Sequence, residues 1–278
     1  MPTPPDAAGT PTGVPARTLL AGCGRLGTLL GERLVAAGGE VIALRRDPSG
    51  LPAAFGAVAA DLREPLGRPL PAVDALVITL PPGTPPAPGQ EDDYALALRH
   101  LAAALPRPPR RTVFVSSTRV FEGRTDGRPI TEDDEPVPLT ERGRTLRRGE
   151  LLAVELLGAL VLRPAGIYGP GRDMLLRRVR EGAAVQYGRR TNRIHETDLV
   201  RTLEALLLAA DPPRVLHAVD RAPASLGEVV THIAREWGLE PPPRATPETV
   251  AGTVLDGSRL LGFLGGLEYP TFREGYRP

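Results

Sequence analysis

A chain of 278 residues, 41% hydrophobic and 24% charged, holds enough apolar material for one large α/β domain, or for a domain with a small appendage. A formal net charge of +1 excludes a global field that would draw the protein to nucleic acid or anionic lipid. One cysteine, Cys23, excludes an internal disulfide and a cysteine-based metal cluster, and the apolar runs fall short of the roughly 20 residues that span a bilayer.

The opening MPTPPDAAGTPTGVPA is rich in Pro, Gly and Thr and has neither the cationic nor the apolar region of a secretory signal. Residues 1–16 therefore read as a disordered tail on a cytoplasmic protein. From Arg17 onward, short apolar runs alternate with helical patterns. RTLLAG is a buried strand, and RLGTLLGERLVAAG places Leu26, Leu29, Leu30 and Leu34 at helical spacing. EVIALRR, GAVAADL and DALVITL are the next strands. A helix near DDYALALRHLAAAL, a fifth strand RTVFVSS, a helix through ELLAVELLGAL and a sixth strand ALVLRP follow. Such alternation predicts a doubly wound parallel sheet with helices on both faces.

Beyond Pro164 the pattern loosens. IYGPGRD is a turn-rich loop, DMLLRRVREG a short helix and AVQYG a strand candidate. ETDLVRTLEALLLAA is a helix starting near Glu196 or Thr197, RVLHAV a strand returning to the sheet, and LGEVVTHIAREWG a helix stopped by Gly238. Three PPP, GG and YP breaks make the last forty residues a loop-rich subdomain.

The segment AGCGRLG sets Gly22, Gly24 and Gly27 as G-x-G-x-x-G between the first strand and the first helix. In that context the glycines permit a tight turn and close approach to a diphosphate, which the amides at the helix start then hold. Cys23, Arg25 and Leu26 complete the cradle, Cys23 as a small packed residue. A binder of NAD(H) places Asp or Glu at the end of the second strand, about 20 residues on. This chain has Arg45 and Arg46 there, and two guanidiniums suit a 2′-phosphate, so NADP(H) is favoured over NAD(H).

Several stretches resemble the extended short-chain dehydrogenase/reductase family, the NAD(P)-dependent epimerase/dehydratase type. VFVSSTRVFEG resembles its fifth strand and the loop after it, LRPAGIYGPGRD its Arg-Pro-x-x-x-Tyr-Gly-Pro-Gly signature, and NRIHETDLV the segment before its late helix. YPTFREGYR resembles its terminal segment in a divergent branch, so the likeness covers roughly 17–278. The resemblance implies a Rossmann-type fold of about seven strands: residues 17–166 bind NAD(P) and 167–278 form a small substrate-binding portion, with about 191–220 returning to the sheet. It gives Asp61 and Leu62 to the adenine, with Thr79, Pro164 and Ile167 in the coenzyme set. Ala165 and Gly166 would pack beside the nicotinamide, Ser117 takes the place of the catalytic hydroxyl, and Tyr168 lies in the loop near the nicotinamide.

The family's Tyr-x-x-x-Lys pair is missing. Aligning RGRTLRRGE puts Arg142 at the tyrosine and Leu146 at the lysine; no tyrosine lies between Tyr94 and Tyr168, and the chain has no lysine, so all 34 Lys+Arg residues are arginine. A guanidinium has no proton to exchange at working pH. Tyr168, Tyr187, His195 and Glu141 are alternative proton donors, with Tyr168 preferred and Arg142 stabilising a developing oxyanion. His195, ahead of a helix, also suits a structural role, and Tyr187 a packing one. Three readings follow: an oxidoreductase or epimerase with a non-standard donor, an inactive NADP(H)-binding sensor or interaction module, or a pseudoenzyme stabilised by its coenzyme.

Arg119, Arg142, Arg189, Arg190 and Arg193 would suit a small, anionic substrate if they line the cleft, and serve equally as solvated charges. The clusters Arg142/Arg144/Arg147/Arg148 and Arg177/Arg178/Arg180 read as solvated faces. The four histidines show no ligand-type spacing, so no metal is expected. A homodimer through two helices flanking the sheet is what the resemblance implies for assembly.

Overall fold

A computed structural model describes residues 13–83, 92–124, 126–247 and 251–277; most of the tail expected over 1–16 lies outside these. Strands β1 (Arg17–Ala21), β2 (Glu40–Arg45), β3 (Gly56–Ala59), β4 (Ala75–Ile78) and β5 (Arg111–Val115) precede the two-residue β6 (Pro129–Ile130) and β7 (Leu160–Pro164). Then come β8 (Gly166–Tyr168), β9 (Arg190–Thr191), β10 (Arg193–His195), β11 (Val215–Ala218), β12 (Ala224–Ser225) and β13 (Val254–Leu255). Seven of these form one parallel sheet in the order β11-β7-β5-β4-β1-β2-β3.

The strands read as continuous apolar runs because both faces of the sheet are covered. On one face α1 (Arg25–Ala36) and α5 (Glu196–Leu208) set Leu30, Leu34, Leu199 and Leu203 against Leu20, Val41 and Val113. On the other, α2 (Asp93–Ala104) and α3 (Glu141–Leu157) bury Tyr94, Leu98 and Ala153 against Leu19, Ile42, Leu76 and Phe114. Each fully buried leucine contributes on the order of 1.5–3 kcal/mol, so these two layers carry the fold.

Caps define the helix ends. Asp92 accepts from the Ala95 amide at 2.7 Å, and Thr140 accepts from Gly143 at 3.1 Å. Gly158, at φ +58°, closes α3 in the left-handed conformation that glycine adopts without a Cβ penalty. Helix α5 begins at Glu196, as expected, and His195 caps it.

The C-terminal portion has a smaller core. Helices α4 (Met174–Arg180), α6 (Leu226–Glu236) and α8 (Phe272–Gly275) enclose Leu176, Val179, Val230, Ile233 and Phe272, while α7 (Ser258–Leu264) lays Leu260 on the α5 face. AVQYG forms no strand; only Val185 bridges, to Arg244. RVLHAV does return to the sheet, as β11 beside β7. Among the described residues no helix is long and apolar enough to cross a membrane.

The order of the sheet reverses between β1 and β4. The crevice at the carboxyl ends of such a pair is where open α/β sheets take ligands.

Candidate functional site

The glycine loop leaves β1 at this crevice. Gly22 has φ +81°, and a Cβ on it would stand 2.9 Å from the Leu80 side chain, so only glycine fits the turn. Its amide donates to the Leu44 carbonyl at 2.9 Å, and Thr79 Oγ1 donates to the Gly22 carbonyl at 2.8 Å, which ties the loop to β2 and β4. A Cβ on Gly27 would meet Cys23 Sγ at 3.2 Å. The Cys23 thiol is buried, and that burial pushes its pKa up, as suits packing rather than reactivity.

Helix α1 starts at Gly24 without a side-chain cap or an acid in its first turn. Its leading amides and the positive end of its dipole are thus left to an anion. The Arg25 side chain turns aside, bonding both carboxylate oxygens of Glu196, which also accepts from Arg172 at 3.2 Å. This three-residue clasp ties the helix start to the Gly169–Arg172 turn.

A cavity of about 730 Å³ runs from the glycine loop to the ends of β2 and β3. It is bordered by Arg45, Arg46, Asp61, Leu62 and Arg63, with Leu80–Gly83 and Tyr94 opposite. Arg45 Nη1 reaches the Cys23 carbonyl at 3.2 Å. Asp61 receives Arg63 through Nε and Nη2, and this guanidinium holds its carboxyl down to about 2. Leu26 is half-buried against the α1 face, and Leu62 is buried on the other.

Ser117 follows the carboxyl end of β5, half-buried and outside the lining of this cavity, its Oγ accepting from the Arg119 amide at 3.2 Å. Pro164 and Ala165 are buried at the end of β7, Gly166 is exposed, and Ile167 packs against the α1–α5 core. Arg142 is exposed in the first turn of α3. Leu146 is buried among Val120, Phe121, Ala165 and Val219, so the position aligned with lysine is an apolar wall.

The alternative donors are differently employed. Tyr168 is 2% exposed, its ring between His195 and Tyr276 and its hydroxyl donating to the Thr271 carbonyl at 3.2 Å. Burial drives its phenol far above the ordinary range, and the packing gives it an interior role rather than a place on the crevice. The Tyr187 hydroxyl donates to Pro242 and its ring lies beneath Arg244. His195 Nδ1 accepts from the Thr197 amide while its ring stacks on Tyr269 at 3.6 Å, which is a structural duty. Glu141 pairs with Arg144 and Arg148.

The other arginines divide in the same way. Arg119 pairs with Glu122, Arg190 reaches the Gly127 carbonyl, and Arg189 is exposed. Arg193 is 4% exposed, over the Phe272 ring, and donates to Thr191.

Three arrangements lay outside the sequence reading. Next to β5, Glu150 accepts from Ser116 Oγ at 2.7 Å, from Arg163 through two bonds at 2.9 Å and from Arg147 at 2.9 Å. The others are the Arg25–Glu196–Arg172 clasp and the Asp61–Arg63 pair. An acid two residues before an arginine at a strand end was a signal for the last; residues 171 positions apart gave none for Arg25 and Glu196. Among the described residues no group of three or more His, Cys, Asp or Glu could hold a metal ion.

The family model described as the RmlD substrate binding domain matches residues 94–254. Among solved structures, a candidate NAD-dependent epimerase/dehydratase from Methylobacillus flagellatus is 28% identical, with a TM-score of 0.80, 94% of this chain and 96% of that one being covered. A conserved protein of unknown function from Silicibacter pomeroyi is 26% identical with a TM-score of 0.76 and the same coverage, 94% and 96%. MoeE5, solved with UDP-glucose and NAD, is 26% identical with a TM-score of 0.73, again over 94% and 96%. No curated protein matches. With more than half its length matched and its sheet, glycine loop and signature turn in the expected order, the chain belongs to the RmlD substrate-binding-domain family, within the extended short-chain dehydrogenase/reductases of epimerase/dehydratase type.

Proposed function

We propose that the chain is an NADP(H)-binding oxidoreductase or epimerase-like enzyme of this family, acting on a small carbonyl or sugar-like substrate that carries an anionic group. The observation that carries the reading is the cavity joining an uncapped helix start to a guanidinium rim. The residues present fit a dinucleotide: no Cβ obstructs the loop at Gly22, Gly24 or Gly27, and Arg45 and Arg46 border the ribose end. MoeE5 carries NAD; the choice of NADP(H) here rests on those two arginines standing where an acid serves NAD.

When bound, the coenzyme supplies or takes a hydride at its nicotinamide. The amides of the α1 start hold the diphosphate, and Arg45 and Arg46 the 2′-phosphate. Pro164, Ala165 and Ile167 offer a small, largely apolar wall to the ring. Ser117 donates a hydrogen bond from its hydroxyl to the substrate oxygen. No side-chain acid stands in place of the missing tyrosine, so the proton comes from water. General acid–base help is worth about 10²–10⁴ in rate, so turnover is slow but not abolished.

Leu146, buried where the lysine would be, favours a second reading: an NADP(H)-binding sensor that does not turn over. Calorimetry with NADPH and NADH, followed by single-turnover assays on aldehydes, ketones and sugar lactones, separates the two. Preference for NADPH with measurable oxidation supports the enzyme; tight binding with no turnover on any of them supports the sensor. Uptake of neither coenzyme sinks both.

A further inference from the structure

Asp61 stands at the adenosine end of the cavity, after β3, where the family resemblance assigns its carboxylate to the adenine. In this chain that carboxylate is already engaged on both oxygens. Arg63 Nε lies 3.0 Å from each of them and Nη2 lies 2.5 Å from Oδ2, while the Arg63 amide donates to Oδ1 at 3.1 Å. The contact is local, two residues apart, and closes the β3 end into a turn that fixes where the Arg63 guanidinium can go.

What that position offers is a third cation on the cavity rim. Arg45 and Arg46 border the same cavity from β2, and the charge of Arg46 also bears on Asp61. Arg63 is about half exposed, at 51%, and its Nη1 lies 4.0 Å from Asp93. Asp61 uses the Nε and Nη2 edge of the guanidinium, and Nη1, whose 4.0 Å pairing with Asp93 is too long for a hydrogen bond, can turn to another acceptor. Arg45 lines the same cavity while its Nη1 donates to the Cys23 carbonyl at 3.2 Å.

We infer that Asp61 is a positioning residue for Arg63, and that Arg63 joins Arg45 and Arg46 in holding the 2′-phosphate of NADP(H). Coenzyme choice is thereby made from both sides of the cleft, at the ends of β2 and β3. This rests on the NADP(H) reading above. It departs from an adenine role for Asp61 in a measurable way, because adenine is common to NADPH and NADH whereas the 2′-phosphate is not.

The test titrates NADPH and NADH separately into the full-length protein and its Arg63→Ala, Arg63→Gln, Asp61→Asn and Asp61→Asn/Arg63→Ala variants. Loss of charge-assisted phosphate bonds weakens NADPH about tenfold to a hundredfold in both Arg63 variants, with NADH changed by less than about twofold. Asp61→Asn weakens NADPH by about threefold to tenfold and spares NADH, and the double variant is no worse than Arg63→Ala alone, as two residues acting in series require. Equal weakening of both coenzymes by Asp61→Asn returns the acid to the adenine and overturns the inference. So does an Arg63→Ala protein that keeps the wild-type preference. A wild-type protein with no preference for NADPH overturns the NADP(H) reading itself, and the two failures are thus told apart by the unsubstituted chain.

Discussion

Replacing Glu150 by alanine tests how the floor of the crevice is held. Glu150 is 1% exposed and Arg163 3% exposed, and the two share a bidentate contact at 2.9 Å inside the sheet–α3 interface. Alanine deletes the carboxylate and leaves the Arg163 guanidinium buried and uncompensated, which costs about 3–5 kcal/mol. Ser116 loses its acceptor as well, and a buried hydroxyl without a partner adds about 1–3 kcal/mol. In a chain of this size each kcal/mol moves Tm by roughly 2–4 °C, so the variant melts on the order of 10 °C or more below the wild type. Thermal unfolding followed by circular dichroism measures it. Two controls isolate the cause: Arg33→Ala, which breaks an exposed pair with Glu204, costs less than about 1 kcal/mol. Glu150→Leu with Arg163→Met, which removes both charges, recovers most of the loss. A Glu150→Ala protein within about 2 °C of the wild type refutes the argument, as does a double variant no better than the single.

Gly22→Ala forces a Cβ into the Leu80 side chain at φ +81°; it costs about 1–3 kcal/mol of stability and, by displacing the loop, abolishes coenzyme uptake in a calorimetric titration. Asp220 is 1% exposed, and burial raises its carboxyl to about 7. The native state then holds a proton that the unfolded chain has released between about pH 4 and 7, so this residue's contribution falls as pH rises through that window. The Asp220→Asn variant, compared by urea unfolding, gains on the wild type from pH 4 to 7, and parallel curves refute the assignment. Arg142→Tyr with Leu146→Lys reinstates the missing pair and raises single-turnover rates by about 10²–10⁴ if the surrounding crevice is intact, with no change in NADPH affinity beyond a few-fold.

Period and punctuation made the sheet legible. Buried parallel strands are uniformly apolar, and glycine at Gly22, Gly24 and Gly27 announces backbone demands that no other residue meets. Arg45 and Arg46 were visible because a strand end fixes their place. The stretch AVQYG shows where this stops: its apolar alternation suits a strand, yet Val185 pairs only with Arg244 and Tyr187 is used for packing against α6. Tyr168 shows it more sharply. The segment that seals it, Thr271 to Tyr276, comes about a hundred residues later, so local sequence carries no trace of the burial. The Arg25–Glu196 contact is likewise tertiary, between the starts of two helices packed on the same sheet face. What propensity and motif leave unread is side-chain partnership across long separations.

Ser117 is where the enzyme and the sensor readings part. Loss of the tyrosine–lysine pair does not by itself argue for inactivity, since orientation of reactants alone supplies effective molarities of about 10⁵–10⁸ M. The geometry of one hydroxyl matters more. Ser117 Oγ accepts the Arg119 amide at 3.2 Å and thereby uses a lone pair, which leaves its own proton to be given elsewhere. A serine kept only to cap the short turn Thr118–Phe121 needs no more than that acceptance. Ser117→Ala removes the cap at a cost of about 1 kcal/mol, a small loss in either case. If the hydroxyl also donates to a substrate oxygen as charge develops there, the same substitution lowers the single-turnover rate by about 10²–10³ at unchanged NADPH affinity. Ser117→Thr, which keeps a hydroxyl, retains part of that rate. A rate that falls only in step with stability assigns Ser117 to the cap alone and leaves the crevice a binding site.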